Sequence, residues 1–323
     1  MPERSGSRRW TVGIDLGGSH FSVGLVSRAG ELKSVHRHRI LVSDGPAAII
    51  DQMRDHILAQ MAARRLTRRD VLGVGIGAPG PLDRKTGVII ESYNLQWFEV
   101  PLVRMLRQRV GMAVVLNGDA VATTYAEWWA GVGRGTRHLV GLTLGTGVGG
   151  GLIVDNTIYY GHTDLGGHFG HMIIEVNGRI CSCGNAGCLE AYASASAIVG
   201  RALERRRELK RSRVWEQIGG DPQQLTSKAL YSAAVRGDAF ARGLFEETGR
   251  FLGVGIASII HTVNPEMVVV GGAVAKAGNL LMEPARREAG RRAFKSAFRH
   301  TRIVRARLGE FAGVIGAAGL VAV

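Results

Sequence analysis

The sequence has little cysteine, little proline and no long apolar run, and each scarcity removes a class of protein. Three cysteines occur in 323 residues, all of them between Cys181 and Cys188, so no thiol is left elsewhere to pair across the fold and a disulfide framework is excluded. Eight prolines stand against 46 glycines; the glycine share exceeds the usual value of about 7% and is concentrated at a few strand ends, where loops do chemistry. No stretch of about 18 uninterrupted apolar residues occurs. Met1 to Arg9 is polar and basic, without the apolar core of a signal peptide. A cytoplasmic protein is therefore expected. Two chemical signatures are missing as well: the C-x-x-C spacing of a redox pair and the Gly-Lys-Ser/Thr ending of a P-loop.

What is present fits a folded α/β chain. A content of 46% hydrophobic and 21% charged residues is too apolar for disorder, and the length favours two compact domains. The 41 basic against 27 acidic side chains leave a net charge of +14. That excess favours polyanionic partners without choosing among nucleotide, polyphosphate, nucleic acid and anionic membrane.

Trp10 to Ile14, the turn at Leu16-Gly17-Gly18-Ser19 and Phe21 to Val26 read as a β-hairpin. Val140 to Leu144, Gly145-Thr146-Gly147-Val148-Gly149-Gly150 and Gly151 to Val154 repeat the plan. Aligning Val12 with Val140 carries Val26 onto Val154 without a gap, which points to an internal duplication. Val71 to Ala78 and Met267 to Ala273 are a matching pair of later strands, each running into a glycine turn. Asp44 and Pro46 predict the start of a helix whose apolar face is Ile49, Ile50, Met53, Ile57 and Met61. Further expectations are a strand over Met112 to Leu116, a helix over Ala120 to Ala130 and a basic helical stretch over Arg201 to Arg213. Long helices over Asp238 to His261 and Asn279 to Arg299, a strand over Ile303 to Leu308 and an apolar terminal helix complete the chain.

The motifs give the chemistry. Asp15 at a strand end followed by Gly17 and Gly18 places backbone N–H groups beside a carboxylate that can hold a hydrated divalent cation, although a plain tight hairpin also uses Gly-Gly. Its glycine-rich counterpart after Leu144 strengthens the phosphate reading, and two such hairpins suggest a nucleotide held in a cleft between domains. Asp119 follows a strand and opens a helix, where it serves either as an N-cap or as a general base. His171, Cys181, Cys183 and Cys188 form a compact Cys₃His set, a common tetrahedral zinc combination that leaves no open position and so implies a structural metal. The alternative is a group of buried, unligated thiols.

These segments resemble the ROK family, named for repressors, open reading frames and sugar kinases, from about Trp10 to the C-terminus. The resemblance rests on Asp15-Leu16-Gly17-Gly18, Gly77-Ala78-Pro79-Gly80-Pro81, Tyr93-Asn94-Leu95-Gln96-Trp97 and Thr143 to Gly151. Most specific is Gly170-His171 followed by Cys181-Ser182-Cys183-Gly184-Asn185-Ala186-Gly187-Cys188-Leu189-Glu190-Ala191-Tyr192. It implies an α/β, actin-like (ribonuclease H-like) duplicated two-domain fold with ATP and sugar in the interdomain cleft. On that reading residues 1–118 form an N-terminal domain completed by a C-terminal helix at about 309–323, and residues 119–308 form a larger domain with the zinc loop.

The resemblance also implies roles. Asp119 is the expected catalytic base. Asp15, Gly17, Gly18 and Ser19, with Gly145, Thr146 and Gly147, form the phosphate and Mg²⁺ sites, and Gly271-Gly272 the adenosine turn. Asn94, Gly118, His168, His171 and Glu190 line the sugar, and Zn²⁺ sits on His171, Cys181, Cys183 and Cys188. A homodimer or higher homo-oligomer is expected. Two positions depart from the family pattern: Gly118 stands where an asparagine precedes the base, and His168 replaces a sugar-binding glutamate, so the sugar preference is open. Only about ten residues precede the first hairpin, too few for the DNA-binding module of family repressors, which favours the kinase branch. A sensor that has lost catalysis, and a kinase using polyphosphate, are the alternatives.

Overall fold

The computed structural model describes residues 10–322. It divides into two compact units: unit 1 takes the described residues through Gly135, Ile158–Gly166 and those from Leu308 onward, and unit 2 takes Thr136–Thr157 and Gly167–Arg307.

In unit 1, β1 (Trp10–Leu16), β2 (His20–Ser27), β3 (Leu32–Arg39), β4 (Val71–Ala78) and, after three short strands, β8 (Val114–Gly118) form one sheet in the order β3-β2-β1-β4-β8. β1 is antiparallel to β2 and parallel to β4, which is parallel to β8. The short strands β5 (Leu82–Asp83), β6 (Val88–Ser92) and β7 (Trp97–Val100) make a small antiparallel sheet. In unit 2, β9 (Leu139–Leu144), β10 (Val148–Val154), β11 (Thr157–Ile158), β12 (Met267–Gly271) and β13 (Arg302–Arg305) follow the order β11-β10-β9-β12-β13. Strand for strand this is the plan of unit 1, so the duplication is real at the level of topology.

The gapless alignment of the two hairpins is not. Leu16 faces Phe21 across the first turn, whereas Leu144 faces Val148 across the second, which makes the second turn one residue shorter. Thr11 therefore faces Val26 while Leu139 faces Ile153, and Val26 corresponds to Ile153 instead of Val154. The glycine run enters the strand itself: Gly149, Gly150 and Gly151 belong to β10.

The helix Gly45–Ala63 buries Ile49, Ile50, Met53, Ile57 and Met61 against the first sheet, as its periodicity predicts. Asp44 precedes it but is already helical in conformation and makes no side-chain capping bond. The helices Leu102–Val110 and Asp119–Trp129 follow β7 and β8. The terminal helix Ala312–Gly319 lies on β1 and β4 with almost no intervening side chain. A Cβ on Gly13 would fall 1.9 Å from the Val314 carbonyl oxygen, and one on Gly75 would fall 1.7 Å from that of Ala317.

Unit 2 has a separate core, in which Val140, Leu142, Val268 and Val270 meet Leu244, Phe245, Leu252 and Ile256 of the long helix Ala239–Val263. The helix expected over Asn279 to Arg299 breaks into Asn279–Arg292 and Lys295–His300. Ala293 is extended there and the Phe294 N–H donates to Nε2 of His261 instead of to the helix. The basic stretch Arg201 to Arg213 is likewise not one solvated helix. Arg201 lies inside the helix Ala195–Glu204, 3% exposed, donating to the Tyr192 carbonyl at 2.9 Å beside Glu247. Among the described residues no helix is long and apolar enough to cross a membrane.

Candidate active site

Three strands of unit 1 end on the same side of their sheet. Asp15 stands in the last turn of pairing of β1, opposite Gly77 of β4, and Gly118 ends β8 opposite Ala78. The chain then enters the helix Asp119–Trp129 directly. Gly118 is its cap residue, with an extended backbone, and Asp119 is the first helical residue, so Asp119 is not the N-cap. Its exposed carboxylate accepts from the Ala120 N–H at 2.6 Å, where the helix dipole favours negative charge. An added Cβ at position 118 would meet nothing nearer than Val121 Cγ2 at 3.9 Å. Room for the family's asparagine is therefore present. Asn117 does not substitute for it, because its side chain is buried within the strand layer and its Oδ1 has no hydrogen-bond partner among the described residues.

The β1–β2 turn is closed by the Gly17 N–H donating to the His20 carbonyl at 2.9 Å, and Ser19 Oγ lies 2.9 Å from His20 Nδ1. Asn94 sits directly over the turn: a Cβ on Gly18 would be 2.7 Å from the Asn94 Cβ. Asp15, Gly17, Gly18, Ser19, Asn94, Gly118 and Asp119 thus belong to one end of unit 1. Burial pushes the Asp15 carboxyl up to about 6, helped by the Asp119 carboxylate and opposed by Arg37. A buried carboxylate pushed up in part by a second one marks a place of concentrated negative charge, which suits a divalent cation.

In unit 2 a single carboxylate organises the rest. Glu190 Oε2 accepts from the Val148 N–H at 2.8 Å, while Oε1 accepts from Ser182 Oγ at 2.7 Å and from the Cys181 thiol at 3.5 Å. A Cβ on Gly147 would lie 2.4 Å from Glu190 Oε2, so the glycine-rich turn closes over this group. The turn is held from its other side by the Ala195 N–H donating to the Gly145 carbonyl and Ser196 Oγ donating to the Thr146 carbonyl, each at 2.9 Å. Gly272, at φ +89°, brings its backbone to 2.3 Å from the Leu144 carbonyl oxygen, measured from an added Cβ. Gly271 pairs with Thr143, so the expected adenosine turn and the second phosphate turn end neighbouring strands.

His171, Cys181, Cys183 and Cys188 converge, with their ligand atoms all within 4.8 Å of one another. Cys183 and Cys188 Sγ are 3.7 Å apart, and Cys181 Sγ is 3.8 Å from His171 Nδ1. A tetrahedron with metal–sulfur bonds of about 2.3 Å has edges of about 3.8 Å, so the residues fit a zinc ion. Burial pushes the Cys188 thiol up to about 12, while the Asn185 backbone hydrogen bond lowers that of Cys183. His168 lies at the rim of this cluster, its ring stacked on His171 at 6.4 Å with 17° between the planes. Ser182, inside the cysteine motif but given no role by it, and Gly313, which belongs to no motif and places its backbone against the Asp15 carboxylate, make contacts that are visible only in the fold.

The ROK family profile matches residues 11–323. The chain belongs to the ROK family. It is 37% identical to a glucokinase of Thermotoga maritima over 96% of both chains. Its structure is similar to that of a ROK-family glucokinase from Streptomyces griseus solved with glucose and AMPPNP, at a TM-score of 0.80 and 32% identity, over 96% of this chain and 98% of that one. A xylose repressor of Caldicellulosiruptor bescii is 29% identical over 96% of this chain but 77% of its own length. The ROK chain accordingly has the actin-like ATPase fold that its two equivalent sheets display.

The raised Asp15 carboxyl has a consequence for stability. The folded ROK chain binds this proton with a pKa of about 6 against an ordinary 3.8, so the carboxyl favours folding fully below pH 3.8 and that contribution is lost as the pH rises to about 6. Asp15→Asn removes the titration. In denaturant unfolding without nucleotide or Mg²⁺, the variant should gain on the parent between pH 4 and 7, by about 2–3 kcal/mol in total. A difference independent of pH would show that Asp15 is not held in this way.

Proposed function

We propose that this ROK protein transfers the γ-phosphoryl of ATP to a hexose hydroxyl, with Asp119 as the general base. The observation that carries the assignment is an exposed carboxylate at a helix start beside Asp15 and the Gly17–Ser19 turn, in a chain closely related along its whole length to glucokinases. The protein is a hexose kinase of the glucokinase type. Asp119 takes the proton of the attacking hydroxyl as the oxygen approaches phosphorus in line, and it is exposed to reach it. Asn94, seated on Gly18, orients the sugar next to the phosphate turn. The Gly17 and Gly145 N–H groups close their turns on the His20 and Gly147 carbonyls, which leaves the N–H groups of Gly18 and Ser19 and of Thr146 and Gly147 to accommodate phosphate oxygens, and Gly271-Gly272 leaves the backbone bare for the nucleoside. Mg²⁺ bound with ATP supplies charge neutralisation at the phosphates, beside Asp15.

Zinc is proposed as a structural ion on His171, Cys181, Cys183 and Cys188. Its role follows from the bond of Ser182 to Glu190, which remains when Cys181 gives up its thiol proton to become a ligand: fixing the cysteine loop fixes the carboxylate, and fixing His171 sets the ring on which His168 stacks. In this reading His168, His171 and Glu190 contact the sugar. A carboxylate at position 168 would accept from two hydroxyls, whereas a neutral imidazole offers one acceptor and one donor, so His168 shifts the preferred hydroxyl pattern.

Asp119→Asn should lower kcat by about 10²–10⁴-fold with nucleotide affinity retained. A coupled ADP-release assay over hexoses, amino sugars and cyclitols, with ATP and then polyphosphate as sole donor, measures this. Sugar binding without ADP release for every sugar would instead mark a sensor. Elemental analysis should find one zinc per chain, and its removal by chelation should raise the sugar KM and lower the Tm together; protein purified without chelator and lacking stoichiometric zinc would overturn the metal assignment. His168→Glu should move the sugar ranking toward glucose-like substrates and flatten the pH dependence of sugar binding between about 5.5 and 7.5. An unchanged ranking and pH profile would confine His168 to packing.

A further inference from the structure

The sheet of unit 1 has a second end. β4 and β8 finish at Gly77, Ala78 and Gly118, but they begin beside a surface cavity of about 530 Å³ bordered by Arg68, Arg69, Arg107, Gly111, Val71 and Met112. β4 spans Val71–Ala78, so at about 3.3 Å per residue the cavity lies about 23 Å from the Asp119 end. It is a separate place on the same strands.

Three cations line this cavity and no carboxylate does. Among the described residues, none of the three guanidinium groups has a hydrogen bond or an ion pair. Several arginines outside the cavity are matched: Arg54 and Arg109 share Asp51, Arg205 pairs with Glu247 and Arg292 with Glu288. Asp70, the acid nearest in sequence, accepts instead from the N–H and hydroxyl of Thr67, which lower its pKa. The other basic cavity, in unit 2, includes Glu204 and Glu208 among its walls, so its charge is partly answered.

The cavity is also shaped by the backbone. The helix Leu102–Val110 ends at Gly111 with φ +66°, and a Cβ there would stand 3.0 Å from Arg68 Nη1 and 3.1 Å from its Cζ. The Arg68 guanidinium therefore rests on bare main chain. Arg107 occupies the last helical turn, where the dipole favours a cation. That accounts for one of the charges locally and leaves Arg69 and the convergence of all three unexplained by folding. Planar guanidinium groups match phosphate oxygens in pairs, and a cavity of this volume is in the range of small-molecule sites.

We infer that this cavity binds a small, multiply charged phosphate compound, either a condensed phosphate or a phosphate ester, at a site distinct from phosphoryl transfer. The binding does not depend on the kinase reading, because none of its residues is assigned a part in turnover. Because β4 and β8 connect the cavity to the Asp119 end, occupancy is expected to change sugar KM or kcat at fixed ATP.

Calorimetric titration of the full chain tests it, at about 0.15 M salt with the catalytic site filled by Mg²⁺, sugar and a non-hydrolysable ATP analogue. Tripolyphosphate and a hexose bisphosphate are the two probes, with sulfate as reference. One equivalent of at least one probe should bind more tightly than sulfate, and which of them binds separates the two sources. Arg68→Gln/Arg69→Gln/Arg107→Gln should weaken that binding at least tenfold and leave kcat without the probe unchanged, whereas Arg206→Gln/Arg207→Gln/Lys210→Gln, with the same loss of charge, should not weaken it. Protection of Arg68, Arg69 and Arg107 from phenylglyoxal by the bound probe provides a reading on the unmutated protein. Equal weakening in both triple variants, absence of protection, or no binding beyond that of sulfate would overturn the inference.

Discussion

The arrangement of unit 1 depends on a contact between backbones. The terminal helix Ala312–Gly319 touches β1 at Gly13, β4 at Gly75 and the helix Asp119–Trp129 through Gly316, where a Cβ would be 1.7 Å from the Ala122 carbonyl oxygen. Its Gly313 reaches the Asp15 carboxylate, 2.6 Å from Cγ by the same measure. One short helix is thus wedged among β1 and the helix Asp119–Trp129, which carry Asp15 and Asp119, and the strand β4, at distances a single methyl group would prevent. Dense packing of this kind transmits displacement instead of absorbing it. The separation of the two aspartates, and hence their mutual electrostatic effect, is set by the last residues of the chain.

Unit 2 solves the corresponding problem with polar bonds. Glu190 joins the β9–β10 turn to the cysteine loop through Val148, Ser182 and Cys181, and Tyr192, two residues further on, accepts from the Arg179 N–H of the same loop. Arg201 then clamps the Tyr192 carbonyl from within the core while a second guanidinium nitrogen donates to Thr248 Oγ1, and its Nε, without a hydrogen bond among the described residues, faces Glu247 at 3.6 Å. A buried guanidinium costs free energy unless its donors are met; here they are largely used to hold a loop that has little apolar surface of its own. The glycine-rich turn and the Cys₃His cluster are tied together through these bonds.

Much of this was legible in the sequence, in a pattern that follows from the range of the forces involved. Val71–Ala78 and the apolar face of Gly45–Ala63 are set by local periodicity and by the punctuation of glycine and proline, and they are found where the sequence places them. The convergence of His171, Cys181, Cys183 and Cys188 was legible because they lie within a short stretch and share a chemistry. The break at Ala293, the burial of Arg201 and the one-residue difference between the hairpin turns were not, since each is decided by a partner distant in the chain: His261, Thr248 with Glu247, and the pairing register of β9 with β10. Gly313 is the extreme case, a residue without a motif whose partner, Asp15, stands at the opposite end of the chain.

The open space around Gly118 bears on how such a protein diversifies. Neighbouring atoms leave that position unfilled, while its pairing with Ala78 and its place at the helix cap are made by the backbone and call for no side chain. A side chain can therefore be gained or lost there with little change in folding free energy, in contrast to Gly13 or Gly75. On the sugar-contacting role proposed for position 118, selectivity for the acceptor and integrity of the scaffold fall on different residues, and drift at the first need not be compensated at the second. A chain built this way can change the molecule it recognises in single steps, each of them a folded protein.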